Sequence, residues 1–169
     1  MNLAPSGLRV ATRADLPAIV AIYNETIPSR EVTADLDPVS VASRIPWFEA
    51  HAPDGHPLWV SDQDGEVAAW LSYSKFHGRA AYDGTAEISL YVGGRFRRAG
   101  LGRALLAEAV DAAPGLGFHT LVGLVFGHNA PSLALFECFG FARWGHMPRV
   151  AILDGIDRDL VFLGRRVAG

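Results

Sequence analysis

The residues best suited to do chemistry lie together in one stretch. Glu87 to Arg103 reads E-I-S-L-Y-V-G-G-R-F-R-R-A-G-L-G-R: an apolar strand with one acid at its start, a turn holding two glycines, a run of arginines, and two more glycines opening an amphipathic helix. Gly100 and Gly102 carry no side chain where the chain turns into that helix, so an anion can approach the free first-turn N–H groups closely. Those amides sit at the positive end of the helix dipole. Arg95, Arg97, Arg98 and Arg103 add four cations within nine residues, enough to hold an anion of several charges through charge-assisted hydrogen bonds. A competing reading assigns the glycines to helix packing and the arginines to a solvated face. The order of strand, turn and helix favours a phosphorylated ligand.

Two common phosphate loops are excluded by spacing. A dinucleotide fingerprint requires a third glycine three residues after Gly102, where Leu105 stands, and no G-x-x-x-x-G-K-[ST] occurs.

The elements that must position this stretch follow from periodicity and punctuation. Leu8 to Ala11 reads as a short strand, and Leu16, Ile19, Val20, Tyr23 and Ile27 recur at helical spacing after the possible caps Thr12 and Asp15. Asp37-Pro38 predicts the start of a second helix, which Pro46 should end or kink before Trp47-Phe48. Leu58 to Ser61 and Glu66 to Phe76 flank the hairpin signal Asp64-Gly65, and Thr85 to Val92 is the next strand. Downstream, Leu101, Leu105, Leu106, Ala109, Val110 and Ala113 form one helix face, stopped by Pro114-Gly115 and Gly117. Phe118 to Phe126 is apolar on both faces, which predicts a central strand. Pro131 to Phe139 reads as a helix closed by Gly140, and Arg149 to Leu153 with Ile156 to Leu163 as a hairpin around Asp154-Gly155. A strand, crossover helix and strand in succession make Thr85–Val92 and the Phe118 strand parallel neighbours.

Composition bounds the class. The chain has 169 residues, half of them hydrophobic, which suits a single domain over 1–169 with one substantial core. A formal charge of −3 with one local basic cluster argues against a nucleic-acid or membrane-surface partner. One cysteine, Cys138, cannot form an internal disulfide, and no leader-like segment is evident, so a cytoplasmic location is expected. Cys138 reads as a small hydrophobe on an apolar helix rather than a nucleophile. The six histidines show no metal-ligand spacing, so no metal is expected. The four tryptophans read as core or dimer contacts.

Arg97-Arg98-Ala99-Gly100-Leu101-Gly102 resembles motif A of the GNAT superfamily of acyl-CoA-dependent N-acetyltransferases, [RQ]-x-x-G-x-[GA] after an apolar strand, position for position. Asn129-Ala130-Pro131-Ser132 followed by Glu137-Cys138-Phe139-Gly140-Phe141 resembles the family's N-x-x-[SA]…G-F segment. Phe76 to Tyr82, Glu87 to Val92, Ile22-Tyr23-Asn24 with Ile27, and Pro46-Trp47-Phe48 resemble the phosphinothricin and methionine sulfoximine acetyltransferase group within that superfamily. The likeness runs from about Leu8 to Phe141.

The resemblance implies a mixed α/β GNAT fold: a mostly antiparallel twisted sheet with one parallel strand pair and helices on both faces. It implies transfer of an acetyl group from acetyl-CoA to the amine of a small amino-acid-like acceptor by direct attack in a ternary complex, within a homodimer. Glu87 is then the catalytic base, acting directly or through water; burial would raise its pKa toward useful values. Leu90, Tyr91, Val92, Arg97, Arg98, Ala99, Gly100, Leu101, Gly102, Arg103, Asn129 and Ser132 are the implied cofactor contacts. A backbone N–H between Leu90 and Val92 would face the thioester oxygen if the strand bulges there. Arg79, with His77 and Tyr82, is the implied acceptor site, Arg79 clamping a carboxylate or phosphinate. Bland alternatives stand beside these: a turn residue for Asn129, a first-turn filler for Ser132, a surface arginine for Arg79, a sheet contact for Tyr82.

Three departures from the pattern carry meaning. His77 stands where the group often has a second cation, which weakens recognition of a dianionic acceptor such as phosphinothricin. Phe136 stands where a tyrosine or histidine often protonates the departing thiolate; solvent can supply that proton to a thiol of pKa near 8.5. The tail around Ala151 to Asp159 does not match the family's final loop. Acetylation of a protein N-terminus or a polyamine, and a non-catalytic acyl-CoA-binding module, are the alternative functions.

Overall fold

Residues 7–168 are described by a computed structural model. In chain order the elements are β1 (Leu8–Val10), α1 (Leu16–Thr26), α2 (Val41–Glu49), β2 (Leu58–Gln63), β3 (Glu66–Lys75), β4 (Thr85–Val92), α3 (Leu101–Ala112), β5 (Thr120–Phe126), α4 (Ala130–Cys138), β6 (Ala142–Leu153) and β7 (Ile156–Arg166). The strands form one seven-stranded sheet in the order β1-β2-β3-β4-β5-β7-β6. β4 and β5 are its parallel pair; the other neighbours are antiparallel.

The two-residue period of the strands sorts side chains between two cores. On β3, Ala69, Leu71 and Tyr73 join Ala86 and Ile88 of β4 beneath Leu105, Leu106 and Ala109 of α3 and Leu133 and Phe136 of α4. On the opposite face Trp70 packs with Leu58 and Val60 of β2 and with Ile19 and Ile22 of α1, bordered by Trp47 and Phe48 of α2. Helices therefore cover both faces. The fully buried Tyr73 hydroxyl donates to Ala109 O at 2.7 Å, which ties β3 to α3.

The 3-10 turn Arg13–Asp15 that leads into α1 opens with a capping box. Asp15 Oδ2 accepts from Thr12 N–H at 2.7 Å, and the same carboxylate receives both Nη atoms of Arg9 at 2.7 and 2.8 Å. The hairpin β2–β3 turns on Asp64 and Gly65, both at positive φ (53° and 82°), the signature of a tight primed turn.

Four expectations are corrected. α2 starts at Val41, not at Asp37-Pro38, because Ser40 supplies the cap: its hydroxyl accepts from Ser43 N–H at 3.1 Å. Pro46 lies inside that helix without ending it, since packing of Trp47 and Phe48 on the second core outweighs the one hydrogen bond a proline forgoes. The last hairpin is longer than Arg149–Leu153 and Ile156–Leu163: β6 begins at Ala142 and β7 continues to Arg166. Cys138 is exposed at the end of α4 rather than packed among apolar neighbours.

Candidate active site

The sheet opens at Glu87. Parallel pairing of β4 with β5 runs from Thr85↔Thr120 to Glu87↔Val122 and stops, although β4 continues to Val92 and β5 to Phe126. The β3–β4 ladder is regular over the same stretch, from Ala69↔Val92 to Lys75↔Ala86, so no bulge interrupts it. Gly93 N–H donates to Ala68 O at 2.9 Å, which makes Val92↔Ala69 a non-hydrogen-bonded pair. By the alternation of an antiparallel ladder, Leu90 and Val92 then turn their N–H and C=O groups away from β3 into the gap. Main-chain donors reach the gap because β5 departs, without the bulge that sequence reasoning required. Tyr91 turns its backbone toward β3.

The side chains of β4 alternate across this opening. Leu90 and Val92 pack against the α3 core. Glu87, Ser89 and Tyr91 point to the α1–α2 face, where they line a cavity of about 210 Å³. Ser72, Ser74 and Trp70 of β3, Ile19, Val20 and Tyr23 of α1, Arg44 and Trp47 of α2, and Val39 complete it. The walls are largely aromatic: Trp70 stacks on Tyr91 with centroids 4.3 Å apart, and Trp47 meets Trp70 edge-on at 5.6 Å. Burial pushes the Glu87 carboxyl above its ordinary value, and no hydrogen-bond partner holds it among the described residues. A carboxylate in such surroundings has higher basicity than a solvated one. Arg44 and Glu87 are the two charged residues of the lining.

On the other side of the gap lies the glycine–arginine turn. Gly100 has φ +83°, a conformation that favours glycine. Gly102 is different: a Cβ there would meet Leu90, Leu135 and Val92 at 3.6–3.7 Å, ordinary contact distance, so packing within the chain does not require glycine. Of the four arginines, Arg95 pairs with Glu66 and lies over Phe96, away from the helix start. Arg97 Nε donates to Val92 O at 3.3 Å, Arg103 lies over the Phe139 ring, and Arg98 has φ 64°. None of these three pairs with a carboxylate among the described residues, so Arg97, Arg98 and Arg103 can serve an external anion. With the β4 amides and the α3 first turn they suit a diphosphate followed by an extended arm.

Asn129 and Ser132 begin α4. Asn129 is 6% exposed; its Oδ1 accepts from Ser132 N–H at 3.2 Å and its Nδ2 donates to Glu31 O at 3.0 Å. It caps α4 and ties the 30–39 loop to that helix. Phe136, 6% exposed, packs onto Gly123 of β5, where a Cβ would come within 2.6 Å of its ring, and edge-on to Phe141.

His77, Arg79 and Tyr82 lie on the loop between β3 and β4. They are exposed and close to one another: the Arg79 N–H donates to His77 Nδ1 at 3.2 Å and the His77 and Tyr82 rings are 4.9 Å apart. None of the three lines the cavity. Sequence reasoning missed Tyr23, Asp35 and Arg44. The Tyr23 hydroxyl donates to Asp35, Arg44 Nη2 reaches the same Asp35 Oδ2 at 2.8 Å, and the guanidinium sits 4.8 Å from the Tyr23 ring centroid. Tyr23 was read from sequence as a helix-face residue and as part of the Ile22-Tyr23-Asn24 resemblance, without a role in the site.

The family model for the acetyltransferase (GNAT) family matches residues 17–141. The chain belongs to the GNAT acetyltransferase family. A Bacillus subtilis protein provisionally named phosphinothricin acetyltransferase YwnH is 50% identical over 162 residues, covering 95% of this chain and 99% of its own. An L-methionine sulfoximine/L-methionine sulfone acetyltransferase of Pseudomonas paraeruginosa is 37% identical over 94% of this chain and 92% of its own. The crystal structure of a GNAT superfamily phosphinothricin acetyltransferase from Sinorhizobium meliloti in complex with AcCoA superposes with TM-score 0.90 at 32% identity, covering 97% of this chain and 89% of that one. The GNAT chain is thus an acyl-CoA-dependent N-acetyltransferase. No helix among its described residues is long and apolar enough to cross a membrane, and no cluster of potential metal ligands occurs among them.

Proposed function

We propose that this GNAT enzyme acetylates the amine of a small amino-acid-like acceptor, using acetyl-CoA, by direct attack within a ternary complex. The observation that carries the reading is the position of Glu87: it lies where β4 and β5 part, with its carboxyl in the α1–α2 cavity and the phosphate-type cradle beyond the opposite face. Acetyl-CoA supplies an acyl thioester. Glu87 accepts a proton from the acceptor ammonium, directly or through water, which frees the lone pair that forms the amide; a base so placed contributes on the order of a hundredfold or more. The Leu90 and Val92 main chain offers N–H groups where oxyanion charge develops. Arg97, Arg98, Arg103 and the first turn of α3 would hold the diphosphate, and Phe136 leaves the departing thiolate to be protonated by solvent.

The cavity, about 210 Å³, is smaller than the roughly 300–1,000 Å³ of drug-sized sites, which suits a free amino acid better than a peptide. Its neutral serines and aromatic walls suit an uncharged, oxygen-bearing side chain, and the name of the relative from Pseudomonas points the same way. We propose a homodimer as well: β6 is the edge strand and leaves Trp144, Met147, Val150 and Ile152 exposed.

The test is a thiol-release assay with acetyl-CoA and a panel of amino acids, polyamines and short peptides. The expected outcome is turnover on methionine sulfone and methionine sulfoximine, weaker on phosphinothricin. Turnover confined to peptides or polyamines would overturn the acceptor assignment.

A further inference from the structure

Resting on that reading of the site, we infer that Arg44 of α2, rather than a residue of the exposed 76–84 loop, anchors the acceptor's α-carboxylate, so the enzyme selects amines that carry a carboxylate beside the nitrogen. An α-amino acid carries its amine and its carboxylate on the same carbon. The cavity lining contains two charged side chains, the carboxyl of Glu87 and the guanidinium of Arg44. One meets the amine; the other meets the carboxylate.

The state of Arg44 fits an anchor. A guanidinium has five N–H donors in a rigid fork. Arg44 spends donors of Nη2 on Asp35 Oδ2, at 2.8 Å, and has no other hydrogen-bond acceptor among the described residues, so Nε and Nη1 remain available. Its side chain is 27% exposed, half-withdrawn from solvent but open to the cavity. Asp35 and Tyr23 act as positioning residues: Tyr23 donates to Asp35, Asp35 accepts from Arg44, and the Tyr23 ring lies beneath the guanidinium. A fork held in place beforehand loses little freedom when a carboxylate docks. The same charge repels a polyamine and finds no partner in a peptide N-terminus, whose carboxylate has become an amide.

The experiment compares kcat/KM for methionine sulfone and for its decarboxylated counterpart, 3-(methylsulfonyl)propylamine, in wild type, Arg44→Gln, Arg44→Lys and Arg79→Gln. Wild type should prefer the amino acid by at least about tenfold. Arg44→Gln should lower kcat/KM for the amino acid by about 10- to 100-fold, the worth of a charge-assisted hydrogen-bonded pair. That loss should fall mainly on its KM, with the decarboxylated amine and the KM for acetyl-CoA little changed. Arg44→Lys should recover part of the preference. Methionine sulfone amide with the wild-type enzyme needs no variant, and should be at least about tenfold poorer than the acid. A preference that survives in Arg44→Gln, or collapses in Arg79→Gln instead, overturns the inference while leaving acceptor acetylation intact. Absence of wild-type turnover on both amines would instead remove the proposed function, and this inference with it.

Discussion

At the scale of single residues, the cavity opposes a raised carboxyl to an aromatic wall, and the two consequences of burying Glu87 have opposite signs for stability and for rate. Burial raises its folded pKa above the unfolded value, so the ionised form is the disfavoured one in the fold. Stability is therefore lost, not gained, as pH climbs from the unfolded pKa through the folded one. Glu87→Gln should melt at or above the wild-type temperature at pH 7, and the difference should vanish below about pH 4, where the carboxyl is protonated in both states; calorimetry reads both. Rate follows the reverse course, since the base must be ionised, and the acid limb of kcat should lie above the ordinary glutamate range. Glu87 was legible from sequence because a lone acid on an otherwise apolar strand stands out. Arg44 was not, because its meaning comes from Tyr23 and Asp35, brought to it across α1 and the 30–39 loop, and no spacing in the chain encodes that encounter.

At the scale of elements, the first turn of α3 contains one glycine that its backbone conformation favours, Gly100, and one that packing within the chain does not require, Gly102. Gly100→Ala forces a side chain into φ +83° and should cost about 1–2 kcal/mol of stability. Gly102→Ala meets only ordinary contacts within a helix and should leave stability equal or up to about 1 kcal/mol higher, yet weaken acetyl-CoA binding by at least about tenfold. Titration calorimetry on a fully folded Gly102→Ala protein decides this, and an unchanged Kd would return Gly102 to packing. The start of α1 makes a pH-dependent prediction. The Arg9 guanidinium and the Thr12 donors hold the Asp15 carboxyl down at about 2 against an unfolded 3.8, so its contribution is complete above pH 4 and disappears as pH falls toward 2. Asp15→Asn should lower stability at pH 7 by about 1–3 kcal/mol, with the gap to wild type closing in denaturant melts near pH 2. Periodicity located the helices and strands that bury one face. It missed the first half of β6, Ala142 to Pro148, since that edge segment is exposed nearly throughout and carries no alternation to read. The start of α2 was missed for a related reason: Asp37-Pro38 has the chemistry of a helix entry, but the cap that operates is Ser40.

At the scale of the molecule, a sheet that is continuous from β1 to β4 and parts from β5 beyond Glu87 leaves a gap with the glycine–arginine turn on one side and the Glu87-lined cavity on the other. The parallel β4–β5 pair could be anticipated from a strand–helix–strand order, whereas the length over which they stay paired, Thr85↔Thr120 to Glu87↔Val122, could not, because both strands run on past that point and no residue pattern within either marks it. The exposed apolar row on β6 predicts a dimer in light scattering, converted toward monomer by Trp144→Lys with Ile152→Lys; a wild-type monomer at micromolar concentration would contradict it. The central claim, that the carboxyl at the fork takes the proton while the cradle holds the donor, meets its most direct test in Glu87→Gln. The variant should keep the wild-type Kd for acetyl-CoA and lose on the order of a hundredfold or more in kcat on methionine sulfone. Full turnover by that variant, or loss of acetyl-CoA binding in step with turnover, would contradict it.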